Sequence, residues 1–139
     1  MSEEKRIYVV VAETVQNPEG PSIIQVCGRI AAQCAHVVSK MQVARRLEEV
    51  NGDQRYIHRT LEPCTTNVLA ARDSREMVHV STLLDKAKLQ FTPFMDYNPE
   101  VYGTENGILT ALCTDPIDPQ LIVDILDYLP LWIHGRTGC

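Results

Sequence analysis

The sequence lacks the marks of several large functional classes. Its five cysteines, at 27, 34, 64, 113 and 139, are odd in number and include no C-x-x-C pair. Neither a disulfide framework nor a zinc site is indicated. No apolar run approaches the roughly eighteen residues needed to cross a bilayer. The opening Met1-Ser2-Glu3-Glu4-Lys5-Arg6 has no positive start leading into a long apolar core, as a signal peptide would. No P-loop, dinucleotide glycine fingerprint or Ser-His-Asp order occurs. An excess of basic charge is missing too. Lys and Arg number 13 against 18 Asp and Glu, a net charge of −5. That counts mildly against nucleic acid as a partner, although a local basic patch can act within an acidic whole. The expectation is a cytoplasmic protein with reduced thiols, no membrane segment, no metal and no cofactor.

What is present is ordinary globular material. Apolar residues make up 45% and charged residues 22% of 139 residues, enough for one compact domain over 1–139. Arg6 to Ala12 is a β-branched run with little alternation, as in a strand covered on both faces. Prolines and glycine mark 14–26 as a loop. A helix follows from Arg29 to Glu48, with Asn51-Gly52 as its stop. Asp53 to Thr66 is open, either a second short helix or a loop, broken at Pro63. Asn67–Ala71 reads as a strand, and Asp73 with Glu76 has capping-box spacing before a helix over 74–88.

Leu89–Met95 alternates as a strand whose Pro93 belongs at an edge or a bulge. Ile108–Cys113 is a fourth strand. Asp118-Pro119 starts a helix lined by Leu121, Ile122, Ile125, Leu126 and Leu129 and stopped by Pro130. The tail from Trp132 is expected to be loose. Strands alternating with helices imply a three-layer α/β/α domain with a four-stranded sheet, mixed because the third and fourth strands pair as a hairpin.

The stretch Cys27-Gly28-Arg29-Ile30-Ala31-Ala32-Gln33-Cys34-Ala35-His36 reads as a glycine turn running into a helix. At 100° per residue, Arg29, Gln33, His36 and Lys40 fall within about 60° of one another. Ile30, Cys34, Val37, Met41 and Ala44 make a core stripe beside them. The polar row is either a solvated face or an ordered site near a helix N-terminus, where unpaired N–H groups favour anions. Arg45, Arg46, Arg55 and Arg59 either extend it as a basic patch or end a solvated helix. His58, His79 and His134 have no partners at ligand spacing.

Gly28-Arg29-Ile30-Ala31-Ala32-Gln33-Cys34-Ala35-His36 resembles the opening of the first helix in type 2 peptidyl-tRNA hydrolases. Asp96-Tyr97-Asn98-Pro99-Glu100, a loop from Gly103 to Gly107, strand 108–113 and Thr114-Asp115-Pro116 can be laid on the second half of that family's pattern. The departures sit at the chemistry: Arg29 replaces a Lys, and Pro99 and Glu100 replace an Arg and a Thr.

The resemblance implies the type 2 hydrolase fold, metal-independent hydrolysis of the ester of peptidyl-tRNA, and a homodimer, for which the apolar last helix with Leu131 and Trp132 offers a surface. Asp96 would orient or deprotonate water, Arg29 would meet the oxyanion or a phosphate, and Glu100 would repel phosphate, pair with Arg29 or stand in as base. Gly28, Gln33, His36 and Lys40 would line the substrate. Each has a plainer reading: Asp96 as a turn cap with Asn98, His36 as a partly buried hydrogen-bonded ring, Gln33 as a partner for a neighbouring loop, Glu100 as a solvated charge. The alternative in function is a silent member acting as a tRNA-end-binding or protein-interaction module.

Overall fold

The computed structural model describes residues 5–16, 23–50 and 65–132, leaving out the side chains of 48–50. Strand β1 (Arg6–Val15) is the centre of the sheet. The two-residue β2 (Ile23–Ile24) pairs antiparallel with its end, and β3 (Thr65–Asp73) runs parallel along nearly its whole length. At Thr14 the two neighbours are Ile24 and Asp73, so β2 and β3 flank opposite sides of β1. Strand β5 (Ile108–Thr114) pairs antiparallel with β1 and with β4 (Phe91–Asp96). The sheet is mixed and has five strands rather than four. The extra one is β2, which two adjacent isoleucines build inside a segment rich in turn formers.

Helices cover both faces. Alternation along β1 sends Ile7, Val9 and Val11 toward α1 (Cys27–Val50), where Ile30, Val37 and Met41 complete one apolar cluster. Tyr8, Val10 and Ala12 face α2 (Ser74–Lys86) and pack with Met77, Val80 and Leu84. Both sets are buried, which explains why the strand carries no polar alternation. Each fully buried aliphatic side chain contributes about 1.5–3 kcal/mol.

Several sequence expectations change. Gly28 does not form a turn; the helix already begins at Cys27 and Gly28 lies in its first turn. Cys27 is disulfide-bonded, whereas Cys34 and Cys113 are free. The expectation of reduced thiols therefore fails at Cys27, since spacing along the chain does not report which cysteines approach in space. After α3 (Pro99–Tyr102) and β5, the last helix is broken into a 3-10 turn (Pro119–Leu121) and a single α turn, α4 (Val123–Leu126). Asp118 caps the 3-10 turn through the Gln120 N–H, 3.0 Å. Leu121 is exposed, while Ile122, Leu126 and Leu129 are buried.

Trp132 is not loose. Its N–H donates to Val68 O at 2.9 Å, Pro130 O accepts from Ala70 N–H at 2.8 Å, and Leu131 bridges Leu69 on the outer edge of β3. Pro93 sits on β4, which pairs only with β5 among the described strands, and a bulge follows between Phe94 and Met95. The readings of 53–64, of the arginines at 55 and 59, of the histidines at 58 and 134, and of 133–139 fall outside the described residues. No described helix is long and apolar enough to cross a membrane.

Candidate functional site

The polar row of α1 runs along β4, buried at Gln33 and exposed at His36 and Lys40. Lys40 Nζ donates to Pro93 O at 3.0 Å, and the His36 ring tilts against Phe94 with centroids 5.6 Å apart. Gln33 Nε2 donates to Asp96 Oδ2 at 3.1 Å, and the Arg29 guanidinium stands 5.9 Å from the Tyr102 ring centroid. Moving toward the N-terminus of α1, the row meets β4 and then α3 in ascending order. The helical spacing of 29, 33, 36 and 40 therefore runs along one edge strand. Met41, Val37 and Ile30 beside it hold the helix on the sheet.

The row ends in a buried polar knot. Asp96 closes β4, and the helical turn Pro99–Tyr102 brings the Tyr102 hydroxyl back to Asp96 Oδ2 at 2.7 Å. Gln25, fully buried, anchors the chain before α1: its N–H donates to Glu13 O at 2.9 Å and its Nε2 to Ala12 O at 2.6 Å. Gln33 Nε2 also donates to Gln25 Oε1 at 2.8 Å. The two hydrogens of that amide are accounted for by Gln25 and Asp96. Gln33 Oε1 is buried with no hydrogen-bond partner among the described residues.

Protonation of Tyr102 is set by its place. Burial pushes the phenol up to about 12, helped by the hydrogen bond and charge of Asp96 and opposed by Arg29. Across neutral pH Tyr102 is a fixed donor and never a phenolate. Its ring holds the guanidinium by cation–π attraction, worth about 0.5–2 kcal/mol. Both donors to Asp96 act on Oδ2, and Oδ1 takes part in neither contact.

The remaining candidates divide. Gly28 is exposed, and a side chain there would meet nothing within 4 Å, so close packing does not demand the glycine. His36 is exposed rather than partly buried, its ring tilted against Phe94. Lys40 is exposed and tied to the edge strand. Glu100 is exposed, forms no ion pair with Arg29 and stays out of the knot. Asp96 does not cap the turn; Asn98 stands at the N-cap of α3 without a side-chain hydrogen bond.

Arg45 leaves the basic patch altogether. It is buried, with Nε and Nη2 each 3.0 Å from Asp115 Oδ1. Cys34 is half-buried against the α1 cluster, and burial pushes its thiol up to about 11.

Tyr102 and Gln25 were invisible to motif reasoning. A signal for Tyr102 exists: Pro99 at a helix start and Gly103, left-handed with φ 69°, at its end bracket one turn. No protein-family model matches this chain, and no curated protein does. Among the described residues, no group of three or more His, Cys, Asp or Glu is arranged to hold a metal.

Proposed function

We propose that this chain hydrolyses the ester joining a peptide to the 3′ ribose of tRNA, on a fold of the type 2 peptidyl-tRNA hydrolase kind. One observation carries the reading. Arg29 and Asp96, an opening of α1 and an ending of β4, share a single partner in Tyr102. A cation and an oriented carboxylate at one place are what ester hydrolysis without a metal needs.

In this scheme Oδ2 stays with Tyr102 and Gln33, and Oδ1 accepts a proton from the attacking water. The water oxygen bonds to the ester carbon, and Arg29 faces the oxyanion. The carbon–ribose oxygen bond then breaks, and the leaving oxygen takes the proton back from Asp96 Oδ1 as the ribose hydroxyl, which restores the carboxylate. A cytoplasmic setting and a homodimer belong to the same proposal. Leu121, Val123, Tyr128 and Leu131, each about half exposed or more, offer an apolar surface for the dimer.

A second reading is a silent module that binds tRNA ends or another protein. Glu100 favours it, because an exposed carboxylate stands where the resembled family has a hydroxyl donor.

Release of peptide from a model peptidyl-tRNA tests both readings. Turnover by the native chain, lost in Asp96→Ala and Arg29→Ala, supports the hydrolase. Binding that weakens steeply with salt, without turnover, supports the module. Neither turnover nor binding removes both nucleic-acid readings.

A further inference from the structure

Beside the knot lies an aromatic ring that the chemistry above does not use. Tyr97 follows Asp96 directly, so their Cα atoms are about 3.8 Å apart. It is 68% exposed, the most exposed aromatic described. Its ring is nevertheless seated. A Cβ built on Gly107 would lie 2.6 Å from Tyr97 Cζ, 2.7 Å from Cε1 and 2.9 Å from the hydroxyl oxygen.

Such near-equal distances to a ring carbon and two of its bonded neighbours, with Cζ the nearest, arise only from above the ring face, since an approach in the ring plane would come closer to a neighbour than to Cζ. Gly107 therefore floors one face of the ring, and any larger residue would displace it. The residue is otherwise largely open to solvent, at 68% exposure. An exposed phenol usually gains nothing from such a floor, but a stacking surface does: a backed ring loses little conformational freedom when a planar ligand covers it.

We propose that Tyr97, floored by Gly107, is the stacking platform for the terminal base of the RNA 3′ end. This deepens the peptidyl-tRNA reading and rests on it. The platform supplies position without sequence readout, because every base has a π-face. Arg29, half-exposed over Tyr102, keeps its place facing the oxyanion. Base and ester sit on the same ribose, so stacking the base brings the ester toward Asp96, the residue before Tyr97.

The test is the affinity of the full chain for a short labelled single-stranded RNA ending in adenosine, and for the same RNA lacking only the last base. Tyr97→Ala is expected to weaken binding of the first by about 5- to 150-fold and to leave the second unchanged, while Tyr97→Phe keeps native affinity. Gly107→Ala, which tilts the ring, is expected to weaken the first RNA, and adding it to Tyr97→Ala to cost nothing more. Equal affinity of native and Tyr97→Ala for the adenosine-ended RNA overturns the platform and leaves the hydrolase reading standing. No binding of either RNA by the native chain overturns both. Base-dependent binding without peptide release supports the platform and removes the hydrolase alone.

Discussion

The Tyr102 hydroxyl donates to Asp96 Oδ2 at 2.7 Å across six residues of chain, and the same ring faces Arg29. A tyrosine in a one-turn helix thus couples the end of β4 to the start of α1. Removing only that hydroxyl, in Tyr102→Phe, is expected to destabilise the fold by about 1–2 kcal/mol. The half-exposed carboxylate can partly recover water, which keeps the loss small. Under the proposed activity, peptide release falls at least tenfold because Oδ2 keeps Gln33 alone. Denaturant melts and single-turnover release measure the two effects.

Alkaline pH should expose the same residue. The folded phenol titrates near 12, above the ordinary value of about 10. Its contribution is complete below pH 10 and is lost as pH rises through 12, because the unfolded chain ionises first. Tyrosinate absorbance should show a late component near pH 12 that Tyr102→Phe removes. Tyr128 is also raised by burial and keeps its own late signal in that variant.

Arg45 and Asp115 form a pair with side chains only 7% and 13% exposed. Arg45→Ala removes the guanidinium from a largely buried carboxylate and is expected to cost about 3 kcal/mol. Arg45→Met with Asp115→Leu removes both charges and is expected to cost less than the single change. A double-mutant cycle by urea melts decides this.

Lys88 holds φ 58° just past α2, where its N–H returns to Asp85 O and Leu89 N–H to Leu84 O, 3.0 Å each. This closing loop prefers glycine at the left-handed position. Lys88→Gly is therefore expected to stabilise by about 1 kcal/mol, read as a higher denaturation midpoint with an unchanged slope.

Cys34, raised to about 11, should react slowly with thiol reagents at pH 8. Its rate should climb about tenfold per pH unit as thiolate forms. Cys34→Ser identifies that component, and a fast phase lost in this variant contradicts the burial argument.

Local chemistry decided much of this protein in advance. The β-branched run at 6–12, the Asp73 cap that accepts from Glu76 N–H, and the Pro93 on β4, which pairs only with β5 among the described strands, each act through neighbours within a few residues. Their elements follow from sequence, and helical spacing alone placed Arg29, Gln33, His36 and Lys40 on one side of α1. Spacing could not say what that side would meet. Only the packed sheet laid it along β4, buried Gln25 and Gln33, took Arg45 away to Asp115 and folded Tyr102 back onto Asp96. Contacts between residues tens of positions apart depend on strand order and register, which no local pattern encodes.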